Sequence, residues 1–277
     1  MISNILILIR IKDWLKNIVI FFPIIFSNNL QSAELLISVL KVFFIFSVTS
    51  TCIYIFNDII DIEDDKIHKL KKFKKPLAAN TLSKNLAYFL LIFFFILTII
   101  LLSFNMFIIF FIAAYFFINI SYSLYFKKIP YFEILIICSG YLIRLYAGSH
   151  TINVDTSIIL ALSIFSLSFF IISIKRLVEL NNQVTSRVSN LRYSQNIIKI
   201  LTILSSFIFL LCSLIFFIFL NNKLLILFPI LLFIKIRYYI LSISLNIGEF
   251  PIDVVLKDKL LLLSCLALSL STIYLYY

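Results

Sequence analysis

Apolar positions in this chain come in long blocks, not in the every-third-or-fourth rhythm of a surface helix. A membrane-crossing helix needs about 20 mainly apolar residues. Nine segments reach or approach that length, approximately at 16–30, 35–58, 84–103, 105–124, 131–149, 155–178, 194–220, 222–242 and 258–277. The first is short, and Pro23 inside it predicts a kink or a tilt. The pattern predicts an all-α integral membrane protein, residues 1–277 forming a single polytopic domain of about nine transmembrane helices around a central cavity.

The polar connections between these blocks alternate in charge. One set carries Arg10, Lys12 and Lys16, then seven lysines between 66 and 84, then Lys127 and Lys128, and later Lys175, Arg176, Arg187, Arg192, Lys199, Lys235, Arg237, Lys257 and Lys259. The other set, near 27–34, 104–105, 149–157 and 221–223, contributes only Lys223. Basic residues concentrate on the cytoplasmic side of a membrane. The first set is therefore expected in the cytoplasm with the N-terminus, and an odd number of spans places Tyr277 outside. Losing or adding one span would distribute basic loops over both faces. The longer or more polar cytoplasmic connections, approximately 59–83, 125–130, 179–193 and 243–257, mark that side as the working face, and Trp14 fits an aromatic anchor at the headgroups.

Composition agrees. The chain is 62% hydrophobic with a mean hydropathy of +1.11, against roughly 45–50% apolar residues in soluble domains. The net charge of +11 alternates with apolar spans, which suits topology signals and anionic ligands and excludes nucleic acid as the expected partner. Met1 to Arg10 is too short to span and has no small-residue cleavage site, so no secretory signal peptide is expected. Cys52, Cys138, Cys212 and Cys265 stand singly in apolar segments and read as small buried hydrophobes. The partner read from composition is the lipid bilayer, and association into a homo-oligomer is left open.

One stretch breaks the apolar pattern abruptly. Asn57 to Asp65 reads Asn-Asp-Ile-Ile-Asp-Ile-Glu-Asp-Asp and holds five of the thirteen acids in the chain. If the second span continues helically, Asp58, Asp61 and Asp65 fall within about 60° of one another on one stripe. Carboxylates so placed are about 5–6 Å apart and repel. A hard divalent cation such as Mg²⁺, which takes one or two carboxylates and completes its shell with water and substrate phosphate, relieves that repulsion. The stripe therefore reads as a site for a magnesium-bound diphosphate. The competing reading is a solvated helix end, against which stands the position of Asp58 at the membrane boundary, where unpaired charge is costly.

Cations follow directly. Lys66 to Pro76 includes His68, Lys72 and Lys75, and reads either as a positive-inside loop or as a capture surface for a polyanion. His68 suits a phosphate partner better than a metal ligand, because Mg²⁺ disfavours imidazole. Lys175, Arg176 and Glu179 close the sixth span on the same side, either as a helix-end ion pair or as anion binders. Arg144 lies inside the fifth span, where a charge usually faces a cavity or a partner. His150 and Asp155 face the other side and are assigned no chemistry.

At these residues the sequence resembles the UbiA superfamily of intramembrane prenyltransferases, whose members carry nine helices and an N-D-x-x-D-x-x-x-D motif at the end of the second. Asn57, Asp58, Asp61 and Asp65 match it. Most members carry a second aspartate-rich motif after the sixth helix. Here the only acid between Lys175 and Asn196 is Glu179. The chain is more similar to the branch containing decaprenyl-phosphate phosphoribosyltransferase. The similar segments are Arg10 to Asn17, Tyr122-Ser123-Leu124, Ser139 to Arg144 with Ala147-Gly148, Lys175-Arg176-x-x-Glu179, and Pro251-Ile252-Asp253 with Lys257-Asp258-Lys259. Mild departures are Ile11 in place of proline, Lys75 in place of arginine before Pro76, and Asn80 in place of glycine.

What the resemblance implies is Mg²⁺-dependent transfer of 5-phosphoribose from phosphoribosyl diphosphate to a polyprenyl phosphate in a bacterial inner membrane. Asp58, Asp61 and Asp65 would hold the metal and act in catalysis, with Asn57 in support. Lys175 and Arg176 would bind the further phosphates, with Lys16, His68, Lys72, Lys75, Tyr122, Lys128, Arg144 and Glu179 as other substrate-binding candidates. The alternatives are prenyl transfer from a polyprenyl diphosphate to an aromatic or porphyrin acceptor, and, in another class, a transporter or lipid-binding protein. Three glycines and no Gly/Pro-interrupted spans weigh against the last.

Overall fold

A computed structural model describes residues 2–68, 70–103, 106–182, 192–245 and 247–277. Lys69 of the basic run and most of the connection expected at 179–193, with Arg187, lie outside the described residues. Among the described residues the structure is helical. It runs α1 (Ile2–Ile9), a 3₁₀ segment (Ile11–Phe21), α2 (Phe22–Phe26), α3 (Ala33–Ile60), α4 (Ile62–Ile67), α5 (Lys71–Lys74), α6 (Lys84–Ser103) and α7 (Ile109–Leu124). It continues through α8 (Phe132–Thr151), α9 (Ile158–Asn181), α10 (Gln195–Leu220), α11 (Phe228–Ser244), α12 (Pro251–Lys257) and α13 (Lys259–Tyr276).

Eight of these stretches are long and apolar enough to cross a membrane, among them α3, α6, α8, α9, α10 and α13. The chain is a multi-pass membrane protein. The expected first span, 16–30, is not a continuous α-helix. Arg10 takes a left-handed backbone (φ 55°), and a 3₁₀ segment and the short α2, with Pro23 in its first turn, follow it. At about 2.0 Å rise per residue in 3₁₀ and 1.5 Å in α geometry, Ile11 to Phe26 reaches roughly 30 Å. The tighter winding gives a short segment the length of a full span.

This segment runs antiparallel to α3, and a polar seam fixes it there. The Thr51 hydroxyl donates to the Ile9 carbonyl at 3.2 Å, and Trp14 Nε1 donates to Thr51 Oγ1 at 3.1 Å. Asn17 Nδ2 donates to Ser47 Oγ at 3.0 Å. At its far end Tyr277 donates to the carbonyls of Ile24 and Ile25 and accepts from the Leu30 N–H. Tyr277, the residue just after α13, therefore lies beside the turn that precedes α3. Gly148 of α8 meets the segment so closely that an added Cβ would stand 2.2 Å from the Ile20 carbonyl oxygen.

The ends of the helices follow ordinary rules. Ser32 caps α3 by accepting from the Leu35 N–H at 3.4 Å, and Asp258 caps α13 through the Leu261 N–H at 2.6 Å while Arg237 grips both its oxygens at 2.8 Å. Inside the apolar region hydroxyls bond back along their own helices, as Ser47 does to Phe43 and Thr49 to Ile45. This leaves few polar groups facing hydrocarbon. Among the spans α3, α8 and α9 are the most buried, so the polar centre lies between them and the first segment.

Candidate active site

Asp58 lies in the last turn of α3, buried with 2% of its surface exposed. Arg10 Nη2 donates to its Oδ1 at 2.5 Å, and Lys75 Nζ lies 2.8 Å from the same oxygen. That ammonium also donates to Asp65 Oδ2 at 2.5 Å, and Lys71 Nζ lies 4.0 Å from the other Asp65 oxygen. Two carboxylates thus converge on one nitrogen. They meet because the helical phase survives the junction at Asp61. The α3 helix ends there, yet the Asp61 N–H donates to the Asn57 carbonyl at 2.9 Å and the Asp65 N–H to the Asp61 carbonyl at 2.8 Å.

Asp61 does not share that centre. It pairs with Lys127 from the turn after α7, and Asn57 accepts from the Ser123 hydroxyl at the end of α7. The expected stripe is therefore split: Asp58 and Asp65 face Lys75, while Asp61 and Asn57 tie α3 to α7. Among the described residues no three His, Cys, Asp or Glu side chains gather around one metal position. The Asp58–Asp65 pair still offers hard oxygen donors on either side of a cation. That donor set suits a metal that takes two carboxylates and draws its remaining ligands from water and phosphate. Burial pushes the Asp65 carboxyl above its usual range, more than Lys75 pulls it down. Burial opposes the charge on Lys75, but Asp58 and Asp65 hold its ammonium above the ordinary lysine value.

The first segment adds Asp13 and Lys16, bonded at 2.5 Å, with the Lys16 ammonium over the Tyr54 ring at 5.4 Å. Lys175 is half-buried, and its charge is felt by the buried His68 imidazole.

Its neighbour Arg176 turns away. The guanidinium, 1% exposed, is held between Glu133 of α8, with Nε 2.9 Å from Oε1, and Glu179 of its own helix. Glu133 further accepts from Tyr193 at 2.8 Å and from Tyr122 at 3.5 Å. Arg176 and Glu179, expected around substrate phosphate, are thus joined in a buried network, and so is Tyr122. Glu133 and Tyr193 escape the sequence reading. The one signal for Glu133 is an acid just inside an apolar span.

Arg144 does not snorkel. Its Nε donates to Asn17 Oδ1 at 2.6 Å, Nη1 to the Gly140 carbonyl at 2.7 Å and Nη2 to the Tyr115 hydroxyl at 2.6 Å. It clamps the first segment to α7 and α8. Lys72 and Lys128 are exposed, Lys72 lying over the Phe73 ring at 4.7 Å.

His68 is buried where three connections meet. Its Nδ1 accepts from the Leu70 and Lys71 N–H groups at 3.2 and 3.3 Å, and its Nε2 faces Glu249 Oε2 at 3.6 Å. The other Glu249 oxygen accepts from Asn182 at 2.8 Å. Burial, and next the Lys71 charge, hold the imidazole down at about 4, so it is neutral near pH 7. Nearby Asp253 attracts Lys12 and Lys74, each at 3.9 Å.

The structure is thus a bundle of membrane-spanning helices with a buried carboxylate–cation centre at one end. The UbiA prenyltransferase family model matches residues 20–247, and the chain belongs to that family. Among curated relatives, it is similar to decaprenyl-phosphate phosphoribosyltransferase of Mycobacterium tuberculosis, 27% identical over 180 residues that cover 62% of this chain and 59% of that protein. The enzyme of the same name in Mycolicibacterium smegmatis is 26% identical over 187 residues, covering 65% and 58%. That in Corynebacterium glutamicum is 25% identical over 154 residues, covering 54% and 46%. The matched stretch thus spans about half to three fifths of these relatives' lengths. Among solved structures, a UbiA homolog from Archaeoglobus fulgidus bound to DMAPP and Mg²⁺ superposes with a TM-score of 0.70 at 15% identity, covering 95% of this chain and 98% of that one. A digeranylgeranylglyceryl phosphate synthase superposes with a TM-score of 0.63 at 20% identity, covering 99% and 97%. Both likenesses are of fold.

Proposed function

We propose that the protein transfers 5-phosphoribose from phosphoribosyl diphosphate to a polyprenyl phosphate, releasing diphosphate. The observation that carries this reading is the imbalance of the centre. At the end of α9, where a second set of free acids would serve a second metal-bound diphosphate, Glu179 and its neighbour Glu133 of α8 are both paired with Arg176. At the centre four cations, Lys75, Lys71, Lys16 and Arg10, meet three carboxylates, Asp58, Asp65 and Asp13. A donor and an acceptor that both carry bare phosphates need such a surplus of positive charge. The names of the curated relatives point the same way.

In this reading Asp58 and Asp65 hold Mg²⁺. Bound there, the ion would supply positive charge for the diphosphate as its bond to the sugar C1 breaks. Arg10 and Lys75 lie beside those carboxylates and bind the diphosphate oxygens. Lys175 and Lys16 orient the remaining phosphates. The lipid phosphate is an anionic nucleophile at neutral pH, so His68, neutral and enclosed, is not required as a base. The basic connections gather at this end of the molecule, which supports a position for it on the cytoplasmic side of a bacterial inner membrane. A soluble, polyanionic donor would arrive from there.

The test is a substrate exchange with purified protein. Phosphoribosyl diphosphate with polyprenyl phosphate gives product on this reading. Product only from polyprenyl diphosphate and an aromatic acid would replace it with prenyl transfer.

A further inference from the structure

We propose that Lys75 is an internal counter-ion that makes divalent-metal binding at Asp58 and Asp65 conditional on a diphosphate anion. The proposal rests on the metal assignment above and adds a coupling to it. Its basis is the position of one nitrogen. Lys75 Nζ stands 2.8 Å from Asp58 and 2.5 Å from Asp65, between the two carboxylates that would hold the metal. Arg10 at 2.5 Å completes the balance, so that two carboxylates face two cations. The carboxylates are buried, Asp58 2% and Asp65 5% exposed at the side chain, while Lys75 and Arg10 keep 17% and 25%.

A divalent ion arriving alone would have to push the ammonium off the carboxylates and add two positive charges to a buried cluster already in balance. Uncompensated charge in such surroundings is strongly disfavoured. A metal arriving with diphosphate comes as an anionic complex, and Lys75 and Arg10 can then exchange carboxylate oxygens for phosphate oxygens and stay paired.

The chain lets the side chain make this exchange while the backbone stays put. The Lys75 N–H donates to the Lys71 carbonyl at 2.8 Å, and its carbonyl accepts from the Ala79 N–H at 2.9 Å. Pro76 restricts its backbone to the extended form observed, φ −96° and ψ 120°. The four-carbon stem remains free to swing, and a lysine ammonium is a compact point charge with rotatable donors. Arg10, in contrast, starts the 3₁₀ segment in a left-handed conformation, which fixes its backbone beside Asp58.

By linkage the coupling is reciprocal: whatever factor diphosphate adds to metal affinity, the metal adds to diphosphate affinity. Equilibrium dialysis of purified protein with ⁵⁴Mn²⁺ reads it directly. The metal–diphosphate complex is free on both sides of the membrane, so the excess on the protein side is bound metal. Wild type should retain Mn²⁺ at least tenfold more tightly with inorganic diphosphate than without. Lys75→Met should bind Mn²⁺ without diphosphate at least tenfold more tightly than wild type does, and diphosphate should then add little. Lys75→Arg, which keeps the charge, should restore the dependence, a readout that a merely structural role for Lys75 would not move. Monodisperse elution of each variant controls for folding. Wild type that binds Mn²⁺ equally well with and without diphosphate, or a Lys75→Met variant with unchanged affinity for the bare metal, overturns the coupling alone. Absence of Mn²⁺ binding in every arm, with Asp58→Asn indistinguishable from wild type, overturns the coupling together with the metal assignment.

Discussion

Lys175 and Arg176 are adjacent, yet their surroundings give them different work. Arg176 is enclosed by Glu133 and Glu179. Replacing it with methionine leaves two buried carboxylates facing each other, a change that typically costs about 3–5 kcal/mol. We expect Arg176→Met to lower the melting temperature sharply or to elute as aggregate. Lys175→Ala should melt near wild type and raise the KM for a phosphate-bearing substrate severalfold; KM values unchanged for both substrates would remove Lys175 from the site. A second residue-scale prediction concerns His68. Its imidazole sits at about 4 in the folded protein, below the ordinary 6.5. A depressed group contributes stability that is present above the unfolded value and lost as pH falls through the folded one. Between pH 7 and pH 5 the wild type should therefore lose more thermal stability than His68→Asn, whose amide oxygen can still accept from the Leu70 and Lys71 N–H groups. Equal losses would place the pH sensitivity elsewhere. The sequence already marks Asp58, Asp65 and Lys75, because helical phase and proximity along the chain bring them together. It conceals Glu133, Lys127 and Glu249, whose pairings depend on which helices become neighbours.

Among the elements, the first segment departs furthest from a reading by length and hydropathy. Nothing in Ile11 to Phe21 distinguishes 3₁₀ from α winding in the sequence. The choice is made by contacts: Trp14 with Thr51, Asn17 with Ser47 and with Arg144, and the Ile20 carbonyl against Gly148. The last contact is testable. A methyl group at Gly148 would sit 2.2 Å from a backbone oxygen that cannot rotate away. Overpacking of this kind costs about 1–3 kcal/mol or more. Gly148→Ala should lower the melting temperature and weaken the seam, whereas Gly140→Ala, whose nearest neighbours are the Arg144 and Tyr115 side chains at 3.4 and 3.6 Å, should be milder. Equal melting temperatures for the two variants would refute this close approach.

At the scale of the whole molecule, alternating charge proved as informative as hydropathy. It places Arg10, Lys75 and Lys127 at one end, where the structure gathers their carboxylate partners, and Tyr277 at the other, beside residues 24–30. The orientation of that axis can be read by labelling. In intact cells a membrane-impermeant maleimide should modify Asn153→Cys at the outer end, and should modify Phe73→Cys only after the membrane is opened. The reverse order would invert the topology. The most direct test of the central claim is formation of a labelled lipid from radiolabelled phosphoribosyl diphosphate and polyprenyl phosphate by purified protein. Labelled lipid is predicted with Mg²⁺, with loss of at least a hundredfold in rate on chelation and in Asp58→Asn. Labelled lipid formed at the wild-type rate by Asp58→Asn, or none formed by the wild type under any metal condition, would contradict it.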